Sequence, residues 1–106
     1  MLFFFKVDSC CNGGGVTITM NATDGVLADN YLGEFERQNN SNGKPTFKNA
    51  HGKRLSWTYD LFNPDKKHWV VGFQGLESEV TDVYCPVDVT TWNYRGSDVQ
   101  ISVTCT

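Results

Sequence analysis

The sequence predicts an all-β fold, a small antiparallel β-sandwich or barrel held together by disulfides. Three observations lead to this prediction. Short runs of alternating apolar and polar residues are rich in Thr, Val, Tyr, Trp and Phe, turn residues separate them, and no stretch has a helical period. The disulfides are predicted from four cysteines, at positions 10, 11, 85 and 105. With 106 residues the chain fits a single β-rich extracellular domain, residues 1–106, which is small enough to gain from covalent links.

Each strand is predicted from the alternation of its own residues, and the last strand shows it well. Val99, Ile101 and Val103 fall on one face, while polar residues fill the positions between them. The predicted strands cover residues 2–10, 15–21, 31–38, 44–49, 54–60, 68–74, 80–84, 90–95 and 98–105. Turns are predicted at Asn42-Gly43, at Gly52, at residues 63–65 and at residues 95–97.

The cysteines predict two long-range disulfides. Neighbouring cysteines in an extended segment point to opposite faces, so Cys10 and Cys11 each need a distant partner, which leaves two of the three possible pairings. Alternation through residues 2–11 puts Cys11 on the apolar face with Phe3 and Phe5, so we expect it to point inward. Cys105 continues the apolar face of the last strand. We therefore favour Cys11–Cys105 with Cys10–Cys85.

Composition narrows the range of partners. The net charge of −3 and the scattered lysines and arginines predict no nucleic-acid partner. The apolar run of residues 1–5 is too short to cross a bilayer, so we expect no membrane insertion and read this run as part of a strand. The chain has no close-spaced CxxC pair and only two histidines, so we expect no metal site and no cofactor.

Two glycosylation sequons point to a secreted protein. Asn21-Ala22-Thr23 and Asn39-Asn40-Ser41 both match the acceptor pattern. Asn21 falls on the polar side of its predicted strand, and Asn39 lies in a polar tract, so both sites can carry a glycan without disturbing a core. Together with the disulfides, these sites predict an extracellular location.

Catalysis is not predicted. His51 and His68 lie beside turn residues, and no serine or cysteine near them carries the signature of a hydrolase. Acidic residues number twelve, but no pair stands out as the opposed carboxylates of a glycosidase. We expect a protein that is not an enzyme.

The middle and end of the chain carry a set of short motifs. They are Asn42-Gly43-Lys44-Pro45-Thr46-Phe47, Trp69-Val70-Val71-Gly72, Cys85-Pro86, Trp92-Asn93-Tyr94 and Val103-Thr104-Cys105. Through these motifs, the segment of residues 31–105 resembles a small secreted β-rich module of invertebrate and protist extracellular proteins. The sequence differs from that module at Trp57, where the module has a pair of adjacent tyrosines, and Tyr59 takes the place of the second tyrosine. The resemblance implies secretion and β structure, and it transfers no site residues.

Aromatic residues are the remaining functional clue. Trp and Tyr rings stack on the apolar faces of sugars, while neighbouring polar groups bond to the hydroxyls. Most of these rings form predicted core stripes, such as Leu55-Trp57-Tyr59-Leu61 and Trp69-Val71-Phe73. We expect Trp92 and Tyr94, which precede a turn, and Tyr31, which follows an irregular segment, to be partly exposed. The candidate ligand-binding residues are Tyr31, Arg37, Asn42, Asp65, His68, Trp92 and Tyr94.

Two functions follow from these patterns. The first is a secreted, lectin-like module that binds a glycan. The alternative is a structural or protein-interaction module of an extracellular matrix, venom or surface assembly. In that case the apolar N-terminal strand would pair with another extracellular protein or with a second copy of the chain, giving a homo-oligomer.

Overall fold

A computed structural model describes residues 10–20, 29–60, 62–73 and 75–106, and these residues form an all-β protein. No α-helix occurs among them, and three single 3₁₀ turns lie at Cys11–Gly13, Asp29–Tyr31 and Pro86–Asp88. The strands are β1 (Val16–Met20), β2 (Gly33–Arg37), β3 (Phe47–Asn49), β4 (Arg54–Tyr59), β5 (Lys67–Val71), β6 (Leu76–Val80), β7 (Trp92–Tyr94), β8 (Ser97–Val99) and β9 (Ile101–Cys105). The predicted all-β class is confirmed.

The strands form one antiparallel sheet that curls into a nearly closed barrel. Its order is β8-β7-β6-β5-β4-β3-β2-β1-β9. Only Gln100 separates β8 from β9, so one segment of chain pairs with β7 through its first part and with β1 through its last part. This shared segment connects the two ends of the sheet and shortens the exposed edges that would otherwise invite aggregation.

The core lies inside this barrel and follows from the alternation of each strand. Residues directly opposite each other in the ladder share a face, as Val16 does with Phe35, and Trp57 with Trp69. Trp69 is fully buried, and its indole Nε1 donates a hydrogen bond to the Val83 carbonyl at 3.1 Å. The other buried apolar side chains of this core include Val16, Ile18, Phe35, Phe47, Leu55, Val71, Leu76, Trp92 and Val99.

Two disulfides, Cys10–Cys85 and Cys11–Cys105, form with the predicted connectivity, and the second links the two ends of the described chain. The prediction that Cys11 is the inward member of the adjacent pair is wrong. Cys10 is fully buried, whereas Cys11 is half-buried and its partner Cys105 is exposed. Cys11 and Asn12 have positive φ values of 55° and 52° in a 3₁₀ turn, so the strand alternation does not extend to Cys11.

The tight turns have the backbone that their residues predict. Asn42 and Gly43 both have positive φ, 56° and 80°, as a two-residue hairpin turn requires. Arg95 and Gly96 repeat this pattern, 51° and 84°, between β7 and β8. Gly52, with φ 82°, lies in the turn between β3 and β4. These turns set the register of the hairpins that they connect.

Some strand predictions are wrong at their ends. The prediction of a strand over residues 80–84 fails, because β6 covers Leu76–Val80 and residues 81–84 are irregular. The predicted strand 68–74 ends early, at Val71, because Gly72 turns the chain with φ 73°. Phe73 therefore leaves the predicted core stripe and is 80% exposed, and Tyr59, at the end of β4, is 51% exposed. The predicted strand 2–10 lies outside the described residues except for Cys10.

Candidate functional site

Among the described residues, the most exposed aromatic side chains lie beside a groove on the outer face of β4, β5 and β6. The groove has a volume of about 480 Å³. Phe62 and Phe73 line it, with exposed fractions of 84% and 80%. Soluble proteins seldom leave two whole phenylalanine rings in water beside a concave surface, so this is the strongest ligand-site candidate in the described part of the chain.

The turns at the two ends of β5 position these rings. Phe62 lies in the turn between β4 and β5, where its backbone N–H donates to the Asp60 carboxylate at 2.9 Å. The Asn63 N–H donates to the Asp60 carbonyl and the Lys66 N–H to the Asn63 carbonyl, so the turn is held by its own hydrogen bonds. Phe73 follows Gly72 in the turn between β5 and β6. Since β5 has five residues, the two turns are roughly 16 Å apart along the strand.

Polar side chains form much of the floor between the rings. The ladder places Ser56 opposite Val70 and Thr58 opposite His68, and continues from Val70 to Glu77. These five side chains share the outer face of the barrel and line the groove. Together they supply hydroxyl, imidazole and carboxylate groups beside an apolar patch.

The predicted candidates do not form one site. His68 lines the groove, and its side chain is 8% exposed. Asp65 is exposed in the same turn as Phe62 but does not line the groove. Asn42 is exposed in its hairpin, where its amide Nδ2 donates to the Trp57 carbonyl at 3.2 Å.

The expected exposed patch around Tyr31 and Trp92 is wrong. Tyr31 is 7% exposed and Trp92 is 4% exposed. Trp92 faces the interior because it pairs with Ser78 on one side and Val99 on the other. Tyr31 and the half-buried Tyr94 pack edge to face, with ring centres 5.5 Å apart. These rings belong to the core.

Arg37 lies away from the groove, on β2. Its guanidinium lies 5.6 Å from the centre of the Phe47 ring and donates to the Asn40 side-chain oxygen at 3.2 Å. A second guanidinium nitrogen reaches the Cys10 carbonyl at 3.5 Å. These contacts give Arg37 a structural role next to the disulfides.

A second groove, of about 440 Å³, lies over the outer face of β2 and β3. Glu34, Glu36, Lys48 and His51 are among its lining residues. Its lining contains no Phe, Tyr or Trp, so it offers no surface for stacking on a ligand.

One carboxyl of the described residues has a clearly shifted pKa. Burial raises the pKa of Glu79, but hydrogen bonds from Thr91 and Thr90 lower it, and the net result lies below the ordinary 4.5. The Thr90 hydroxyl donates to Oε1 of Glu79 at 3.1 Å. Glu79 is therefore ionised at neutral pH and fixes the loop before β7, and it is not suited to donate a proton in catalysis.

The sulfur atoms of Cys10, Cys11 and Cys85 lie within 4.8 Å of one another, but all of them are engaged in disulfides. They are therefore not free to ligate a metal.

No helix in the described ranges combines the length and the apolar character needed to span a bilayer.

Sequence reasoning missed Phe62 and Phe73. The alternation of β5, extended past Gly72, predicts a core position for Phe73, which the structure contradicts. Phe62 lies directly before the Asn63-Pro64-Asp65 turn cluster, and an aromatic residue inside a turn is the signal that could have identified it. Comparison with known protein families, curated proteins and solved structures finds no match to this chain, so the resemblance to the extracellular module rests on its motifs alone.

Proposed function

We propose that this protein is a secreted, non-catalytic carbohydrate-binding module whose ligand lies in the groove between Phe62 and Phe73. The observation that carries the proposal is the exposure of these two rings, 84% and 80%, at either end of a concave surface with a polar floor.

The chemistry of the groove fits a sugar chain. The apolar C–H faces of a sugar ring stack on aromatic side chains, which removes both surfaces from water. The hydroxyls of the sugar then need partners, because a polar group buried without one costs free energy. Ser56 and Thr58 offer hydroxyls, while Asp60 and Glu77 offer carboxylate acceptors. The length of β5 between the rings suits an oligosaccharide better than a single sugar.

The disulfides support an extracellular location. Both pairs close long loops, with sequence separations of 75 and 94 residues, and such links persist in oxidising compartments. The side chain of Asn39 is exposed in the loop after β2, so this sequon is accessible to a glycan. Asn21 lies outside the described residues. We propose that both asparagines are glycosylated.

A protein partner is the second candidate, and one observation favours it. Val80 and Tyr59 are also exposed, 59% and 51%. Val80 is opposite the groove residue His68 in the ladder, and Tyr59 lines the groove at the end of β4. Apolar side chains in such numbers suit the centre of a protein interface. Pairing through the apolar N-terminal strand belongs to this second candidate, and that segment lies outside the described residues.

A glycan array tests the proposal. We expect the wild-type protein to bind a defined set of oligosaccharides, and a Phe62→Ala/Phe73→Ala variant to bind them at least about tenfold more weakly. Val80→Ala is the matched control, because it removes an exposed apolar side chain that does not line the groove. We expect this control to bind like the wild type.

Absence of any glycan signal at high protein concentration would overturn the proposal. Sedimentation velocity then tests the second candidate. Self-association that disappears in the phenylalanine variant, or after removal of residues 1–7, would support a protein-assembly role. A monomer in every case would exclude assembly of the chain with itself.

A further inference from the structure

We infer that the glycan is acidic, and that a carboxylate or sulfate of it binds to Lys44 and Lys67 beside Trp57. This inference rests on the proposed function and identifies the class of sugar.

Two ammonium groups converge on the ring of Trp57. Nζ of Lys44 lies 4.2 Å from the ring centre and Nζ of Lys67 lies 4.8 Å from it, so the two charges are within about 9 Å of each other. The ring is fixed, because its Nε1 donates a hydrogen bond to the Thr81 carbonyl at 2.7 Å. Asn42 holds the backbone at the same point by donating to the Trp57 carbonyl. The positions of both charges are thus set by a rigid support.

Neither ammonium is neutralised within the described part of the chain. Lys44 donates one hydrogen bond to the backbone carbonyl of Asp82 at 2.7 Å, which leaves two of its three N–H bonds for a ligand. Lys67 forms no ion pair among these residues. The mutual repulsion of two like charges at this distance costs about 0.5 kcal/mol in water. An anion that contacts both would remove this repulsion and gain charge-assisted hydrogen bonds.

Tyr59, at the end of β4, connects the lysine pair to the proposed sugar groove. Lys67 is opposite Tyr59 in the ladder and shares the face of Trp57, whereas the groove floor is the other face of β4 and β5. Because Tyr59 also lines the groove, a sugar chain that passes around Tyr59 at the strand end reaches both. Asp60 and Glu77 also line the groove, and their carboxylates disfavour an anion along the floor. The arrangement therefore places the acidic group of the ligand at the Lys44–Lys67 end and the neutral sugar faces against the phenylalanines. The net charge of −3 opposes this binding only weakly, since physiological salt screens charges beyond about 8 Å.

Three hexasaccharides test the inference by titration calorimetry. A heparin hexasaccharide carries sulfates and carboxylates, a hyaluronan hexasaccharide carries carboxylates only, and a chitin hexasaccharide is neutral. We expect the wild type to bind at least one acidic chain about tenfold more tightly than the neutral chain. A Lys44→Gln/Lys67→Gln variant should lose this preference. Lys66→Gln is the matched control, because it removes the neighbouring exposed charge that does not contact Trp57, and it should keep the preference.

The outcomes separate this inference from the proposed function. Preference for heparin alone assigns the site to sulfate, and equal preference for both acidic chains assigns it to either anion. Binding of all three chains alike, or a preference that survives in the double lysine variant, would overturn the anion site and leave the proposed function standing. Binding of none of the three chains would overturn this inference and count against the proposed function. If the double variant does not fold, the Lys67→Gln single variant replaces it in the test. A weaker preference for the acidic chain then supports the anion site, and the full wild-type preference overturns it.

Discussion

Replacement of both members of the outer disulfide, Cys11→Ser together with Cys105→Ser, measures the covalent contribution to stability most cleanly. Cys105 is exposed and Cys11 is half-buried, so the change leaves no cavity in the core. Cys10 and Cys85, in contrast, are 0% and 2% exposed, and their removal would add a packing cost.

The size of the effect follows from how the two disulfides share the chain. The outer bond spans 94 residues, which alone corresponds to about 4.7 kcal/mol of lost loop-closure entropy in the unfolded chain. Cys10–Cys85, however, already links the chain one residue before Cys11. With that bond in place, the outer bond closes an effective loop of only about 22 residues, because the path runs through the inner disulfide and then from Cys85 to Cys105. We therefore expect a loss of about 3.4 kcal/mol in the free energy of unfolding.

Urea denaturation followed by tryptophan fluorescence measures this loss. The same substitutions should cost about 1.3 kcal/mol more in a Cys10→Ala/Cys85→Ala background, where the outer bond closes its full loop. The cavity left by the inner pair is common to both members of that comparison and cancels. A loss below about 1 kcal/mol in the otherwise native chain, or an equal loss in both backgrounds, would refute the reasoning.

Three further predictions concern the barrel itself. Trp69→Ala should destabilise the protein by about 3–5 kcal/mol in urea denaturation, because it empties the largest fully buried side-chain site. Gly75→Ala should cost about 1–3 kcal/mol, since its Cβ would lie 2.7 Å from Cζ of Tyr31, and a Tyr31→Ala background should show a smaller cost. An NMR titration should place the pKa of Glu79 below 4.5. The stability that Glu79 contributes is then fully present above pH 4.5 and is lost as the pH falls through the lowered pKa, so Glu79→Gln should flatten this part of the pH profile of stability.

The sequence predicts the class of the fold because its strands are amphipathic. The buried positions of β1 and β6 alternate with less buried ones, and Asn42-Gly43 and Arg95-Gly96 specify tight turns that need positive φ. The predicted disulfide pairing is confirmed, although its premise, an inward-pointing Cys11, is wrong, since Cys10 is the buried member of the pair. The closure of the sheet does not follow from the sequence, because it depends on one segment, residues 97–105, changing its partner strand at Gln100, and alternation is the same on both sides of that point.

The site is harder to predict than the fold. Alternation locates the residues of a strand on one of two faces, but it does not say which residues at a strand end leave the core. Phe73 illustrates this limit, since Gly72 ends β5 and moves the ring from an inward position to solvent. Tyr31 and Trp92 show the converse, because the curvature of the barrel buries rings that lie beside turns. Of the predicted ligand-binding residues, His68 is the one that lines the groove.

The central claim is that a sugar chain lies between Phe62 and Phe73 on the outer face of the barrel. Nuclear Overhauser effects between the wild-type protein and whichever of the three hexasaccharides binds most tightly test it most directly. The account predicts contacts from the ring protons of Phe62 or Phe73 to sugar C–H protons, with shifts at Thr58 and His68. Shifts confined to Glu34, Glu36 and His51 in the second groove, with both phenylalanine rings unchanged, would contradict it.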